Sequence, residues 1–400
     1  MPRDPFTAAD PDEENDTGSL SVDDDAWVEA KLPRRPWVAP GYALRGAVTV
    51  IAGPPSALKS SLMLAWACAV AFGQPHGEFA PVEAGRVLVY NVEDGPDEQR
   101  RRLSAVLRQF NAKPESVRGR VIRVSPPGVG TLFERNDKGE ILPTAAMAQL
   151  RNLIAERRPA MLIADPFAEL HNAEENDNTA IRAILAVFRA LAAEFNIAVI
   201  LIHHTRKGEP APGDPDTARG ASATIGAARV VKTLIGMSEQ DAEALGIEKT
   251  RKARSAYVRL DDAKQNYAGI GDAVWYEKVL YRLDNDEWIP AAEPWNPPDL
   301  WQGVPSAVAN TILDCITAGI ESDKGKRHYS DAPATKPPRR ADAVVRKHVP
   351  SLNERQARAV IKTWVNNEVL YRENYFDPVE RKDRGGLFVN DARRPGARER

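Results

Sequence analysis

The sequence is poor in cysteine and contains no long hydrophobic run. Its two cysteines, Cys68 and Cys315, lie far apart and fit neither a disulfide framework nor a metal-binding spacing, so we expect two reduced core thiols. The longest apolar run, Leu62 to Phe72, is well short of the roughly 20 residues that span a membrane. The N-terminus has no basic segment followed by an apolar one, which argues against a secretory signal. We therefore expect a cytoplasmic protein.

Charge is unevenly distributed along the 400 residues. Apolar residues make up 43% of the chain, which is typical of a globular protein with room for two domains. The net charge is only -2, yet residues 1–25 carry nine Asp and Glu against one Arg. Residues 324–400 carry nineteen Lys and Arg against ten Asp and Glu. The basic end favours a nucleic-acid partner, and a solvated surface is the alternative.

From Trp27 to about Leu280, short apolar runs alternate with amphipathic stretches. Six runs predict strands: AVTVIAG, RVLVYNVED, RVIRVS, AMLIADPF, IAVILIHHT and ARVVKTLIG. Four stretches between them have helical spacing: LMLAWACAVAF, PDEQRRRLSAVLRQF, TAAMAQLRNLIAERR and NTAIRAILAVFRALAAEF. This alternation predicts an α/β fold with a mostly parallel, helix-covered sheet. Two later runs, SAYVRLDDAKQNYAG and AVWYEKVLYRL, predict a terminal antiparallel addition.

Composition divides the chain into five segments. We predict a disordered acidic tail over 1–25, an α/β domain over 26–283, a proline-rich linker over 284–300, a small domain over 301–391 and a basic tail over 392–400. In the small domain, three helices precede a basic hairpin, which is the order of a winged helix-turn-helix. Its third helix carries Arg355, Arg358 and Lys362, and the segment ERKDR would form the wing. We expect it to bind duplex DNA, and protein interaction is the alternative.

The segment VIAGPPSALKSS, from Val50 to Ser61, resembles the phosphate-binding P-loop. The pattern G-x-x-x-x-G-K-[ST] is met by Gly53, Lys59 and Ser60, except that Leu58 stands where the second glycine is usual. Backbone N–H groups of such a loop face the phosphates, Lys59 would reach the β- and γ-phosphates, and the Ser60 hydroxyl would ligate Mg²⁺. The predicted nucleotide-binding residues are Gly53, Pro54, Pro55, Ser56, Ala57, Leu58, Lys59, Ser60 and Ser61. The alternative is a chance match.

Leu58 weakens this pattern without excluding a nucleotide. A side chain at this position costs free energy if the residue needs a positive φ. The phosphate donors are backbone groups, however, and the lysine is retained. Binding therefore remains our prediction.

Carboxylates follow two of the predicted strands. Asp165 ends the apolar run MLIAD, where a Walker B carboxylate would hold Mg²⁺. Pro166 follows it, so a carboxylate that orients water must come from elsewhere. Glu93 ends the second predicted strand, which we expect beside the P-loop strand. The neighbouring Asp94 is a second candidate, although capping of the helix near Pro96 is its expected role.

Two histidines end the run ILIHH. No cysteine or carboxylate cluster accompanies them, so a metal site is not indicated. His204 is the preferred sensor of a γ-phosphate, whereas His203 is either a satisfied core histidine or a ligand. The polar, Gly- and Pro-rich loop 206–219 follows and would lie at the ligand-facing end of a parallel sheet.

Over about residues 36–280 the chain resembles RecA-like, hexameric replication helicases of the plasmid RepA type and their phage and plasmid relatives. The resemblance depends on motifs in order: GAVTVIAGPPSALKSS, VLVYNVEDGPDEQRRRL, LIADPFAELHNAEENDNTAI, VILIHHTRKG, ARGASATIGAARVV and DDAKQNYAG. It implies ATP bound between adjacent subunits of a ring, with Lys59 and Ser60 as the P-loop pair and Asp165 as the Walker B acid. It also implies catalytic roles for Glu93, for the phosphate-sensing His204 and for Arg229 as an arginine finger on the neighbouring subunit.

Three further residues match the family pattern, but the resemblance does not assign a role to them. Arg206 and Lys207 would lie near the site or the central channel, and Lys264 in AKQNY also matches. Two features depart from the family: Leu58, and a C-terminal hundred residues that lie outside the resemblance.

The resemblance predicts an ATP- and Mg²⁺-dependent motor, a DNA helicase acting in replication of a plasmid, phage or mobile element. Single-stranded DNA would contact loop 206–219 in the ring. Two alternatives remain open: a DNA-binding regulator that ATP switches with little or no hydrolysis, and a recombination or repair ATPase that forms filaments.

Overall fold

The computed structural model describes residues 25–55, 57–124, 131–174, 177–205, 213, 226, 228–245, 247–267, 269, 271–297 and 305–395. The chain divides into two units, Met1–Pro36 and Trp37–Arg400. In the described part of the first unit, a short 3-10 turn spans Glu29–Lys31 and the side chains of Trp27 and Leu32 are exposed.

Thirteen strands precede residue 300 in the described part of the chain. In chain order they are β1 (Trp37–Ala39), β2 (Ala43–Leu44), β3 (Val48–Gly53), β4 (Val87–Asn91), β5 (Val121–Val124), β6 (Phe133–Arg135), β7 (Ile141–Pro143), β8 (Met161–Asp165), β9 (Ala198–His204), β10 (Val230–Gly236), β11 (Tyr257–Gln265), β12 (Val274–Arg282) and β13 (Trp288–Trp295). The strands β1 and β2 pair with each other, as do β6 and β7.

The remaining nine strands form one sheet in the order β13-β12-β11-β10-β3-β9-β8-β4-β5. Neighbouring strands from β10 to β5 are parallel, and these six strands are the six predicted from the apolar runs. The strands β11, β12 and β13 continue the sheet in antiparallel pairing. The predicted α/β fold with an antiparallel addition is therefore confirmed.

Helices cover both faces of this sheet. They are α1 (Lys59–Phe72), α2 (Pro96–Gln109), α3 (Ala145–Arg157), α4 (Asn178–Phe195), α5 (Glu239–Leu245) and α6 (Arg251–Arg254). Successive side chains of a strand point to opposite faces, so Ile51 joins the core under α1 and α2, whereas Val50 joins the core under α3 and α4. Residues of the parallel strands are therefore apolar on both faces, which explains their near-continuous apolar runs.

The structure differs from the predicted linker at 284–300, because residues 288–295 form β13. The two prolines within β13, Pro290 and Pro294, suggested a break in the sheet. Proline is tolerated on an edge strand, and β13 is the last strand of the sheet. The backbone of Ala292 also bonds the helices beneath, since its N–H donates to Ser61 Oγ (3.2 Å) and its carbonyl accepts from Gln109 Nε2 (3.1 Å).

The C-terminal residues build a separate core. It comprises α7 (Ser306–Ala318), α8 (Ala341–His348), α9 (Glu354–Asn366), β14 (Leu370–Asp377) and β15 (Lys382–Val389). The last two strands pair as an antiparallel hairpin. The start of α9 is fixed by a capping box, in which Asn353 and Gln356 exchange side-chain and backbone hydrogen bonds. Three helices therefore precede a hairpin, in the predicted order.

In the described part of the chain, no helix is both long enough and apolar enough to cross a membrane.

Candidate functional site

The candidate site lies where β3 passes into α1. At the end of β3, a Cβ atom on Gly53 would lie 2.1 Å from the carbonyl oxygen of Leu234 on the neighbouring strand β10. No real side chain tolerates such a contact with backbone, so only glycine fits there. The close approach of β10 explains the first glycine of the motif without any ligand.

Leu58 holds the conformation that the motif assigns to glycine. Its φ is 58° and its ψ is 18°, which is the left-handed region, and it directly precedes α1. For a leucine this conformation costs about 1–2 kcal/mol. The half-buried side chain packs against the core under α1, and this burial offsets part of the cost. The loop therefore keeps its left-handed turn despite the substitution.

Lys59, the first residue of α1, is 4% exposed. Its ammonium group donates to the carbonyl oxygens of Gly53 (2.8 Å) and Pro54 (2.7 Å), so it lies within the curve of its own loop. Burial lowers the pKa of Lys59 to about 8, and the nearby carboxylates of Asp165 and Glu93 oppose that shift. The side chain is thus a buried cation with two acidic groups close by.

Asp165 ends β8 and lies beside the first turn of α1. Its carboxylate is 2% exposed and accepts a hydrogen bond from the Ser60 hydroxyl. Burial raises the pKa of Asp165 to about 6. Its Oδ1 atom is buried without a hydrogen-bond partner among the described residues. A free carboxylate oxygen beside a serine hydroxyl suits Mg²⁺, which binds proteins through one or two oxygen groups and takes its other ligands from phosphate and water.

Mg²⁺ would depend on those other ligands here. The described residues contain no group of three or more His, Cys, Asp or Glu side chains that could hold a metal ion. The residues therefore fit a cation shared with a phosphate chain and do not form a closed protein site.

Glu93 and His204 face the P-loop across one cavity of about 340 Å³. The cavity is lined by Pro55, Ala57, Leu58, Lys59, Ser60, Ser61, Glu93, Glu98, Arg102, His204, Lys278, Ile289 and Pro290. His204 is the last residue of β9 and pairs with Gly53 across the sheet. Burial lowers the pKa of His204, and the positive charge of Lys59 lowers it further, so its imidazole is neutral at pH 7.

The expected position of Glu93 is wrong in one respect. Its strand β4 does not lie next to β3, because β9 and β8 stand between them. Glu93 still reaches the cavity since it lies two residues beyond the end of β4, where its backbone N–H donates to Asn91 Oδ1 (3.0 Å). The carboxyl ends of parallel strands lie at the same edge of the sheet. The turn after β4 runs along this edge and brings the Glu93 side chain to the cavity.

The expected capping role of Asp94 is also wrong. The residue that caps α2 is Gly95, and Asp94 instead pairs with Arg102 of that helix (3.0 Å). The proline at the start of α2 fixes the helix start one residue later than the carboxylate would suggest.

His203 lies on the other face of β9. It is 6% exposed, and its ring lies 6.4 Å from that of Phe167. The alternation of the strand directs it into the core while His204 faces the P-loop, which favours the core interpretation of His203.

Arg229 and Lys264 lie at the opposite end of the sheet. The exposed Arg229 precedes β10, and its N–H donates to Val48 at the start of β3 (3.1 Å). The five residue-to-residue steps from Val48 to Gly53, at about 3.3 Å each, place it about 16 Å along the sheet from the loop. Lys264 of β11 lies nearby, where burial and the charge of Arg229 lower its pKa. Within one chain, these two residues do not join the P-loop cavity.

Some predicted residues lie outside the described residues. They are Ser56, Arg206 and Lys207, together with loop 206–219 apart from Gly213.

Sequence reasoning missed the other walls of the cavity. Lys278 comes from β12, Ile289 and Pro290 from β13, and Arg102 and Glu98 from α2. Local pattern gives no signal for the β13 residues, because they reach the P-loop only through pairing of strands that follow it by more than 200 positions. For α2, the spacing of Glu98 and Arg102 by four residues was a usable signal of one shared helix face.

Residues 13–210 match the model of a protein family described as AAA domain. The matched range is slightly less than half of the chain and contains the P-loop, Glu93, Asp165 and His204. Together with the loop geometry, the match supports a P-loop ATPase core. Among solved structures, the RadB recombinase is 15% identical, with 60% of this chain and 89% of that chain covered and a TM-score of 0.37. This likeness is too weak to support further argument.

Proposed function

We propose that the chain is a RecA-like ATPase that couples ATP hydrolysis to work on DNA. The observation that carries the proposal is the single cavity that joins Lys59, Ser60, Glu93 and His204, with Asp165 hydrogen-bonded to Ser60 behind it. A lysine, an acid and a neutral histidine converging on a phosphate-binding loop suit phosphoryl transfer to water, where positioning and charge stabilisation supply most of the catalysis.

Each residue has a role in this proposal. The backbone N–H groups of residues 57–60 and the Lys59 ammonium bind the phosphates. Ser60 and Asp165 would hold Mg²⁺, which, when bound, neutralises phosphate charge. Glu93 orients the attacking water. His204 donates a hydrogen bond to the γ-phosphate and relays its presence to loop 206–219.

Arg229 is proposed to act on a neighbouring subunit. It is exposed at the end of the sheet opposite the loop, so it has no route to the phosphates of its own chain. In a hexameric ring of the RepA type, the same side chain would meet the next subunit's nucleotide. An arginine finger supplied in trans contributes about 10³–10⁵ in rate in well-studied NTPases.

The proposed partner is DNA, in replication of a plasmid, phage or mobile element. The C-terminal helices and hairpin would form a winged-helix domain that binds duplex DNA, and the ring channel would bind single-stranded DNA. The excess of basic residues beyond 324 supports this assignment.

The decisive experiment measures steady-state ATP hydrolysis with Mg²⁺, with and without single-stranded DNA. We expect DNA-stimulated turnover that Lys59→Ala abolishes. Glu93→Gln should keep nucleotide binding and lose hydrolysis, whereas Glu115→Gln, which alters an exposed acid outside the cavity, should leave both unchanged. Wild-type turnover in Glu93→Gln would contradict the assigned role of that residue.

Complementation tests the trans role of Arg229. Lys59→Ala and Arg229→Ala should each be inactive alone, but mixed oligomers contain interfaces with both residues intact, about a quarter of all interfaces at equal mixing. Activity that reappears on mixing supports the proposal, and its absence despite subunit exchange counts against it.

A second candidate function is an ATP-switched DNA-binding regulator. Leu58 favours it, because it stands where the P-loop pattern G-x-x-x-x-G-K-[ST] has its second glycine. Nucleotide binding without hydrolysis in the wild-type chain would decide for this candidate.

A further inference from the structure

The helix that would read DNA is in contact with the ATPase core. At the start of α9, the Arg355 guanidinium donates to the Glu243 carboxylate of α5 (2.6 Å). The side-chain amide of Asn353, the residue that caps α9, donates to the backbone carbonyl of Glu243 (3.2 Å). Two donors at one helix end therefore bind one residue of the core.

The partner helix α5 is firmly attached to the sheet. Ala242 is fully buried with Met237 and Trp275 in a small core of its own. Ser238 and Asp241 close the first turn of α5 through reciprocal hydrogen bonds of 3.0 Å or less. Glu243 is thus presented on a fixed support, and Lys249 binds the same carboxylate (3.1 Å).

Two other arginines, Arg358 within α9 and Arg340 just before α8, are engaged within their own domain. Arg358 pairs with Glu354 (3.0 Å), and Arg340 pairs with both Glu354 (2.6 Å) and Asp342 (2.7 Å). Arg355 differs from them because its partner belongs to the ATPase core. This contact therefore concerns the position of the whole C-terminal domain and not only the charge of one helix.

The same donors are those that a recognition helix offers to DNA. In helix-turn-helix proteins the N-terminal residues of the recognition helix contact base edges, with arginine favoured at guanine and asparagine at adenine. Because α5 packs against the N-terminal end of α9, it occupies the space around Arg355 and Asn353 that a DNA groove would need. Contact with α5 and insertion into the major groove are therefore mutually exclusive.

We propose that the contact of Glu243 with Arg355 and Asn353 is autoinhibitory, so that duplex DNA binds only after α9 has left α5. The inference rests on the proposed DNA-binding function of the C-terminal domain. The helix α5 follows the carboxyl end of β10, which is hydrogen-bonded to the parallel P-loop strand β3. The contact with α9 is therefore attached to the same end of the sheet as the nucleotide site.

Binding of a fluorescein-labelled random-sequence 30-base-pair duplex to the full chain tests this, by anisotropy at one fixed low salt concentration. Glu243→Gln should bind up to about fivefold more tightly than wild type, which is the range of one partly exposed ion pair. Glu239→Gln is the matched control, because it removes the same charge from the same helix. The native Glu239 pairs with Arg254 of the core and not with α9. It should bind like wild type.

Two further measurements separate the explanations. Arg355→Gln should weaken DNA binding and should cancel the gain of Glu243→Gln when the two changes are combined. Hydrogen exchange over residues 351–358, measured without DNA, should be faster in Glu243→Gln than in Glu239→Gln.

Each outcome is decisive. Equal DNA affinity in Glu243→Gln and Glu239→Gln overturns the autoinhibition, whether or not exchange becomes faster. If no variant binds duplex at all, the DNA-binding part of the proposed function fails, and the exchange data then show only whether the contact forms. A gain in DNA affinity that is confined to Glu243→Gln, together with faster hydrogen exchange over residues 351–358, establishes the autoinhibition.

Discussion

Leu58 allows a sharp test of the loop geometry, because a glycine variant should be more stable than an alanine variant there, the reverse of their usual order. In most helical positions glycine is less stable than alanine by about 1 kcal/mol. Leu58 lies in the left-handed region, where alanine would keep a strain of about 1–2 kcal/mol and glycine would release it.

The magnitudes follow from three contributions to the free energy of unfolding. Either substitution loses the packing of a half-buried leucine, about 1 kcal/mol. Glycine also loses about 0.4–1 kcal/mol through the greater freedom of the unfolded chain. Release of the strain offsets these losses, so Leu58→Gly should stay within about 1 kcal/mol of wild type. Leu58→Ala keeps the strain and should be less stable than Leu58→Gly by about 1 kcal/mol.

Urea unfolding of the two variants measures the difference directly. The exposed helical residue Ala148 of α3 supplies the control, since Ala148→Gly should destabilise the protein by about 1 kcal/mol. An alanine variant at position 58 as stable as the glycine variant would refute the left-handed geometry and with it the explanation of the motif.

Three further predictions concern the core around the site. Burial lowers the pKa of His76 to about 4, below its unfolded value of about 6.5, so stability is lost as the pH falls through this range, by about 2 kcal/mol between pH 7 and 5 in urea unfolding. Gly53→Ala places a methyl group 2.1 Å from the Leu234 carbonyl and should cost about 3 kcal/mol or more, seen as a lower midpoint of thermal unfolding. Lys232→Met should cost about 3–5 kcal/mol in urea unfolding, because it leaves the Asp262 carboxylate, which is only 10% exposed, without its ion-pair partner.

Each of these predictions has a control. His76→Phe should remove that part of the pH dependence, and an unchanged slope would contradict the assignment to His76. Gly95→Ala should be tolerated, because no atom lies within 4 Å of the added methyl group. Adding Asp262→Leu to Lys232→Met should recover most of the lost stability, and a double variant no better than the single one would contradict the charge explanation.

Local pattern was sufficient for the elements that carry the site. Five of the six parallel strands are buried on both faces, so their sequences are almost continuously apolar and could be recognised without knowledge of their partners. The P-loop could be recognised because its chemistry depends on a short contiguous segment. Asp165 and His204 could be found because each is a polar residue at the end of a contiguous apolar run.

Strand order was not available from local pattern. The adjacency of β8 and β9 depends on long-range pairing, and this pairing places Glu93 two strands further from β3 than expected. The edge strand β13 was missed because its prolines satisfy the rules for an edge strand and for a linker equally well. In both cases the sequence specifies a segment, and only the pairing of distant segments specifies its neighbours.

Leu58 shows what the glycine of the motif represents. At Gly53 the requirement is space, since Leu234 leaves no room for a side chain. At position 58 the requirement is a backbone conformation, and a leucine can meet it when its side chain is partly buried by the core under α1. A substitution of the second kind preserves the direction of the loop N–H groups, so it changes stability more than it changes phosphate binding. The departure from the motif is therefore weak grounds for expecting a loop that cannot bind ATP.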